Sequence, residues 1–214
     1  MADTASIVDP SQIINEFLVA NPGHDVSTTL DGALTEASSS IPVVDGTAFP
    51  SNGPFAALVD SEVFMVTRSG NTLTLYGKRG AFATTAAVHS SGAAIHLAVL
   101  YDLTGAQVWE GRLKKGFAND SPAIKYDTIS AAPHWNATDK TGSITFVIFP
   151  GSSSVNEART IAGLLETRLH SAVNQSVTNG TLCRAELEVS NPLPYDEETG
   201  QYLYMATYNY MVGE

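Results

Sequence analysis

The sequence is poor in the residues that build covalent or metal-bound frameworks. It has a single cysteine, Cys183, in 214 residues, which excludes an intrachain disulfide and any multi-cysteine metal site. No run approaches the ~18 consecutive apolar residues of a membrane-spanning helix. The opening residues MADTASIVDPSQ are polar and acidic where a signal peptide is basic and then apolar, so we expect a chain kept in a cytoplasm-like compartment.

Basic residues are also scarce. There are 11 lysines and arginines against 22 aspartates and glutamates, which gives a formal net charge of −11. A surface of that sign repels phosphate, so we expect DNA to pass this protein without specific binding. What is present is 43% apolar and only 15% charged residues, and this composition predicts a folded chain with a substantial core.

The short motifs of common enzyme classes are missing too. The chain has no G-x-S-x-G elbow, Walker loop, H-E-x-x-H motif or EF-hand loop. Of five histidines, only His89 and His96 are near enough in sequence to share a metal on a hairpin. Asp60 and Glu62 alternate in VDSEVF and are the remaining candidates for an acid/base pair, although a solvated β face beside Arg68 explains them more simply. We therefore expect no enzymatic activity, no cofactor and no metal.

The first hundred residues predict one helix followed by a small all-β unit. Asp9 can cap a helix with Pro10 at its first position, and the sequence NPG at residues 21–23 ends it. The composition then changes to Thr, Ser, Gly and Ala. Candidate strands are 41–44, 62–67, 72–76 and 93–99. Ser69-Gly70-Asn71 predicts a hairpin turn between the middle two, because Gly and Asn tolerate positive φ.

The second half predicts an α+β layer. Ser154 and Glu157 have capping-box spacing before a long helix whose apolar residues recur every three and four positions until Asn179-Gly180. Candidate strands are 121–130, 143–149, 181–189 and 201–212, with NPLPYDEETG as an exposed loop before the last. The expected fold class is α+β: a long helix packed on a mixed or antiparallel sheet, with an inserted small all-β domain.

The last strand carries large side chains on both sides of its pleat. One side has Tyr202, Tyr204, Tyr208 and Tyr210, and the other has Leu203, Met205, Thr207 and Met211. Either the strand is covered on both sides within one chain, or the tyrosine face is completed by a neighbouring subunit. The two alternatives predict different solvent exposure for the tyrosines.

Several segments of the chain share loose motifs with a known protein family. They are the helix DPSQIINEFLVANP, the segment LTGAQVWEGRL, the strand SPAIKYDTISAAP, the strand-loop-helix ITFVIFPGSSSVNEARTIAGLLETRL and the ending TYNYMV. Residues 9–23 joined to 99–214 thereby resemble the tail-terminator, or tail-completion, proteins of long-tailed bacteriophages, with Gln107 where that family has an arginine. The resemblance implies a small α+β protein that forms a ring on the tail tube.

Between these segments lies a second, more specific match. The sequence reads I-x-V-x-D-G-x-x-F-P from Ile41, then D-x-E, S-G-N-T-L-T, and R-G-x-x-x-T-x-A-x-x-H-x-x-G from Arg79. This order resembles a small β module of many phage tail and fibre proteins, and it implies a virion component. The predicted domains are therefore 1–25 with 99–214 as a discontinuous terminator-like unit, and 26–98 as an inserted β module, since insertions are tolerated at exposed, adjacent chain ends.

The resemblances imply a virion protein of the tail neck, assembled in the host cytoplasm. It would form a ring, in this family usually a hexamer, that caps the tail tube, stops its polymerisation and contacts the head-tail connector. The residues predicted for subunit contacts are Tyr202, Tyr204, Tyr208, Tyr210, Val108, Trp109 and Trp135. Those predicted for the lumen or for axial contacts are Asp196, Glu197 and Glu198.

Three alternatives remain open at this stage. One is another neck or head-completion component. A second is a decoration or receptor-binding protein with a shallow site at Tyr76, Phe82 and His89. The third is an enzyme with a centre at Asp60 and Glu62.

Overall fold

The computed structural model describes residues 9–105, 107–111, 121–133, 139–197 and 199–213, with the backbone alone for residues 128–133. In these ranges the helices are α1 (Pro10–Val19), α2 (Leu100–Thr104) and α3 (Val155–His170). The strands of a first sheet are β1 (Ser27–Thr29), β2 (Ser40–Pro42), β3 (Phe55–Val59), β4 (Glu62–Ser69), β5 (Thr72–Leu75) and β6 (Ala94–Leu97). Those of a second sheet are β7 (Val108–Glu110), β8 (Ala123–Pro133), β9 (Lys140–Phe149), β10 (Gln175–Val177), β11 (Gly180–Asp196) and β12 (Gln201–Gly213).

The first sheet closes on itself. Its strand order is β1-β6-β3-β4-β5-β2, and Leu30 after β1 forms a bridge with Val43 after β2. The backbone N–H of Val44 donates to the carbonyl of Thr29 at 3.0 Å across the same seam. The six strands therefore form a small barrel, and closure removes the long unpaired edges of an open sheet.

Both faces of the central barrel strands are buried. The interior cluster consists of Leu30, Leu34, Ile41, Val43, Phe49, Phe55, Ala57, Val59, Phe64, Val66, Leu73 and Ile95. The outward-pointing Ala56 and Met65 belong to a different cluster, which includes side chains of α3. Because β3 and β4 are covered on both sides, they read as continuous apolar runs rather than as alternating ones.

The predicted hairpin turn is confirmed. Ser69 pairs with Thr72, which leaves Gly70 and Asn71 as the turn, with Gly70 at a φ of +61°. Gly46 lies directly against it, where an added Cβ would be 2.3 Å from the Gly70 carbonyl oxygen. Asn71 Oδ1 accepts a hydrogen bond from the N–H of Gly46 at 3.0 Å. The D-G motif at residues 45–46 and the S-G-N motif at residues 69–71 are thus in direct contact, and each holds the backbone of the other in place.

Glu62, at the start of β4, is a fully buried carboxylate with 0% exposure. Arg79 donates to it twice, from Nε to Oε1 at 2.8 Å and from Nη2 to Oε2 at 2.7 Å. The backbone N–H groups of Gly80 and Ala87 donate at 3.0 and 2.8 Å, and His89 Nε2 lies 2.9 Å from Oε2. Both oxygens are therefore surrounded by donors, as a buried charge requires.

These contacts set the protonation of Glu62. Burial alone would raise its pKa, but hydrogen bonds from Arg79, His89 and Ala87 outweigh it and lower the pKa to about 2. Arg79 also donates to the carbonyl of Ala87 at 2.7 Å and to the carbonyl of Thr35. The expected solvated face beside Arg68 is wrong for Glu62, since Arg68 instead donates to the Gly46 carbonyl at 2.7 Å.

The second sheet has the order β10-β11-β12-β9-β8-β7 and is antiparallel except where β7 runs parallel to β8. Helices α1 and α3 pack on one of its faces. Phe17 of α1 and Leu165 of α3 share a core cluster there with Phe146 and Tyr208 of the sheet. The Arg168 guanidinium lies 4.1 Å from the Phe17 ring centroid. No helix in the described ranges has the length and apolar character needed to span a bilayer.

Helix α3 contacts the barrel as well as the second sheet. It begins as predicted, since Ser154 Oγ accepts from the N–H of Glu157 at 3.3 Å. Glu157, which is 5% exposed, accepts from the N–H of Phe82 at 2.9 Å, and the Thr160 hydroxyl donates to Met65 Sδ at 3.6 Å. The helix ends at His170, short of the predicted Asn179-Gly180, and the chain enters β10 at Gln175.

The predicted α+β class is wrong. The described part of the chain is mostly β, with two curled sheets and short helices. The main physical reason is the length of the strands: β11 alone has 17 residues and passes through the predicted loop NPLPYDEETG as far as Asp196. A strand at the edge of a sheet tolerates Pro192 and Pro194, since its outer N–H groups need no partner.

The domain boundaries at 25/26 and 98/99 stay a prediction. All strands between residues 27 and 97 lie in the barrel, and all those from residue 108 onward lie in the second sheet. Helix α1 precedes the barrel in the chain, yet its apolar side chains belong to the cluster that includes the second sheet.

We expect Glu62→Gln to lower the free energy of unfolding by about 3–5 kcal/mol, because an amide presents N–H groups to donors that need acceptors. The wild-type protein should also lose stability as the pH falls from 4.5 towards 2, since a lowered folded-state pKa stabilises above the unfolded value. Chemical denaturation followed by circular dichroism at several pH values measures both effects, and the variant should lack this part of the acid dependence.

Asp60→Asn is the matched control. Asp60 Oδ2 lies 2.7 Å from His89 Nδ1 on the other side of the same ring, but its side chain is 65% exposed. Its loss should cost less than about 1 kcal/mol. Equal effects of the two substitutions would contradict the structural role assigned to Glu62.

Candidate assembly surface

The hairpin of β11 and β12 extends beyond the rest of the second sheet. Strand β12 pairs with β9 only as far as Tyr204, which lies opposite Ile148. Beyond that pair, β11 and β12 contact each other through Tyr195 with Tyr202 and Asp196 with Gln201. We call the described residues 193–197 and 199–203 the hairpin tip.

The outer edge of β11 is open over most of its length. Strand β10 covers it only up to Leu182, and no other strand of the described ranges pairs with that edge. Pro192, Pro194 and three register shifts interrupt it. Prolines and bulges are the features by which natural sheets prevent open-ended edge pairing, so this edge favours a limited contact over continued strand addition.

The hairpin tip exposes an ordered aromatic pair. Tyr195 and Tyr202 are 46% and 38% exposed, and their ring centroids are 5.0 Å apart in a T-shaped arrangement. Gln201 between the strands is only 2% exposed and accepts from the N–H of Gly151 at 3.0 Å. The tip is thus held against the chain while its rings face solvent, an arrangement typical of protein interfaces.

The four predicted contact tyrosines do not share one environment. Tyr208 and Tyr210 are 0% and 3% exposed, because α1 and α3 cover that side of β12 within the chain. Tyr204 packs partly against the same core. Of the two alternatives for this strand, coverage within one chain holds for Tyr208 and Tyr210, and only Tyr202 and Tyr204 keep surface for a subunit contact in the described structure.

The aromatic residues of the second predicted group also differ. Val108 is 3% exposed, and its carbonyl accepts from Asn15 Nδ2 of α1 at 3.0 Å, so it joins β7 to the first helix. Trp109 is half-buried on β7. Trp135 lies outside the described residues. The contact role of these three residues stays a prediction.

Two of the three predicted lumen acids lie at the hairpin tip. Asp196 Oδ2 accepts from the Thr199 hydroxyl at 2.6 Å, and Glu197 is exposed. Glu198 lies outside the described residues. The acidic charge therefore lies beside Tyr195 and Tyr202, so any partner of the rings also meets carboxylates.

The face of the second sheet opposite α1 and α3 is a surface that the tyrosine pattern does not predict. Val147, Met205 and Met211 are half-buried there and belong to neither core cluster. Thr145 and Thr207 hydroxyls are 2.9 Å apart across two strands. The alternation in the sequence of β9 indicates this second face, because Thr145 and Val147 alternate with the buried Ile144, Phe146 and Ile148.

The shallow site expected for a decoration or receptor-binding protein does not form. Tyr76 is 45% exposed, but Phe82 and His89 are each 2% exposed. Asp60 and Glu62 do converge, since they flank the two ring nitrogens of His89. Glu62 is buried and its oxygens are held by Arg79 and backbone donors, so the cluster stabilises the barrel and offers no accessible carboxylate pair.

The suggested pairing of His89 with His96 is also not formed. His96 instead stacks on His24 with ring centroids 4.4 Å apart, and His24 Nε2 lies 2.9 Å from Asp102 Oδ2. Burial and the neighbouring His24 lower the pKa of His96, although Asp102 opposes the shift. Within the described part of the chain, no group of three or more His, Cys, Asp or Glu is placed to hold a metal ion.

Comparison with known proteins adds little to this geometry. No family model and no curated protein matches the sequence. Among solved structures, a similar chain comes from one titled "Virion of native gene transfer agent (GTA) particle", with a TM-score of 0.42 and 14% identity over 55% of this chain and 86% of that chain. A likeness this loose establishes neither a shared fold nor a function.

The core assignment of Tyr208 is open to a direct test. Its hydroxyl is buried and has no hydrogen-bond partner among the described residues, so Tyr208→Phe should raise the free energy of unfolding by about 1 kcal/mol. Tyr126→Phe is the comparison, because that hydroxyl donates to the Ser11 carbonyl at 3.1 Å and its loss should cost about 1 kcal/mol. Thermal and urea unfolding measure both. Destabilisation of the Tyr208 variant would contradict the absence of a hydrogen-bond partner for this buried hydroxyl.

Proposed function

We propose that this chain is a structural protein of a tailed-phage virion. In this proposal, copies form a closed ring in the tail neck that caps the tail tube, ends its polymerisation and joins it to the head-tail connector. The activity is assembly, and the chain makes or breaks no covalent bond.

The observation that carries the proposal is the hairpin tip. It presents the exposed Tyr195 and Tyr202 pair on a backbone anchored through Gln201. Rigid aromatic groups lose little conformational entropy on contact and bury large areas, which suits a shape-matched interface. The neighbouring β11 edge, interrupted by Pro192 and Pro194, discourages the open-ended strand addition that would build a filament.

The motif resemblances support a virion setting. In the β module, the shared residues have architectural roles: Arg79, Glu62 and His89 form the buried ionic cluster, and Gly46 packs under the 70–71 turn. A module in which these motif residues serve the fold fits a protein that works through its surface. We place this module on the outside of the ring, facing neck, tube or sheath proteins.

The mechanism follows from symmetry. A tube grows by repeating one adhesive surface, so it ends when a ring matches that surface on one side and presents a different one on the other. Heterologous contacts with a closing rotation give such a ring, which we expect to be a hexamer. A net charge of −11 lets DNA cross the lumen without binding.

Another neck or head-completion component is the second candidate. It would use the same hairpin tip for a ring but contact the head side in place of the tube. A decoration or receptor-binding role has less support, because two of its three expected site residues are buried.

We expect the purified full-length chain to form closed rings at micromolar concentration. Because the subunits carry a like charge, association should strengthen as salt rises from about 10 to 150 mM and screens their repulsion. Sedimentation velocity gives the mass, and negative-stain electron microscopy shows the shape. A monomer at every salt and protein concentration would refute the ring, and capping of purified tail tubes separates the terminator from the other neck candidate.

A further inference from the structure

A groove of about 680 Å³ lies between α3 and the outside of the barrel. Its barrel wall is largely apolar and includes Pro50, Pro54, Phe55 and Leu97, and its helix wall includes Arg159 and Gly163. A volume of this size is within the range of sites that accept a drug-sized group. The groove therefore has room for two tyrosine side chains.

Gly163 borders the open part of this groove. It stands on the exposed side of α3, and an added Cβ would meet no atom within 4 Å. Glycine inside a helix costs about 0.5–1 kcal/mol relative to alanine, and no packing contact requires it here. Tight packing against a neighbouring element therefore does not explain the glycine at this position, which lies beside open space on the helix surface.

Arg159 gives the groove a positive charge. It is exposed on α3, and it takes part in none of the ion pairs formed within the described ranges. On a chain with a net charge of −11, an unpaired arginine beside an apolar wall favours a partner that is both aromatic and acidic.

We propose that the groove binds the hairpin tip of a second copy of this chain. The tip has the matching chemistry: Tyr195 and Tyr202 are exposed aromatic rings, and Glu197 beside them is an exposed carboxylate. The rings pack between the prolines of the barrel wall and α3, and Glu197 pairs with Arg159. This inference rests on the proposed self-association and names the two surfaces that meet.

The contact joins two different surfaces, so it is heterologous. Each copy offers one tip and one groove, and repetition of the contact closes a ring or continues as a helix according to the rotation. It also gives the barrel a role in assembly, because the barrel supplies one wall of the groove.

The test compares two substitutions at Gly163 in the full-length chain. Gly163→Glu fills the groove and opposes the acidic tip, while Gly163→Ala leaves the groove open, and both improve helix propensity. We expect Gly163→Glu to weaken association at least ~10-fold and Gly163→Ala to leave it within ~2-fold. Sedimentation velocity measures association, and circular dichroism melting verifies that both variants fold.

The tip is tested in the same way. Tyr195→Thr with Tyr202→Thr keeps strand propensity but removes both rings, and should weaken association ~10-fold. Val88→Thr, at a valine that is 68% exposed on the barrel, is the control for loss of an exposed apolar group. The charge reversals Arg159→Glu and Glu197→Arg should each weaken association, and the two together should restore it.

Mixing separates this inference from the proposed function. The Gly163→Glu variant retains a working tip and the double threonine variant retains a working groove, so an equal mixture should form dimers that grow no further. If the wild type associates and every variant associates equally well, the tip-in-groove contact is wrong while self-association stands. If the wild type never associates, the proposed function fails and the inference fails with it.

Discussion

The first half of the molecule depends on the burial of one carboxylate. Glu62 has 0% exposure, and its donors come from Arg79, Gly80, Ala87 and His89. An unpaired charge in that position would cost several kcal/mol. Loss of any of these donors should therefore destabilise the closed barrel. Residues 76–93 contain no strand, and polar contacts to Glu62 position this Gly, Thr and Ala segment in place of a sheet ladder.

That segment also connects the barrel to α3. Its Phe82, at a φ of +54°, donates its N–H to Glu157 at the start of the helix. A bulky residue in the left-handed region is strained, and the structure tolerates it where the surroundings hold the backbone from both sides. Two buried carboxylates, Glu62 and Glu157, thus fix one irregular segment, and through it the barrel wall that faces α3.

Local features were predictable, and long-range ones were not. The capped starts of α1 and α3 and the turn at Gly70 follow from neighbouring residues, and all three were found. The partners of Glu62 lie 17 to 27 residues away, so its burial could not be inferred from Asp60 and Arg68 nearby. The α+β prediction is wrong because Pro192 and Pro194 are typical of a loop, whereas the structure keeps both within β11. The pleat of β12 gave two sets of large side chains, but only the tertiary structure assigns Tyr208 to the helix side.

The two sheets differ in how their edge strands are protected, and this difference limits the contacts that two copies of the chain can form. The barrel seals its edge through the bridge between Leu30 and Val43. The second sheet leaves β11 open but interrupts it with bulges and prolines, so main-chain hydrogen bonding offers little association energy there. Contact energy is then left to side chains at the hairpin tip, where Tyr195 and Tyr202 stand beside acids. Side-chain contacts specify one orientation and one partner surface, whereas an open edge accepts any strand. The proposed role of ending a polymer would need the first property and would have to avoid the second.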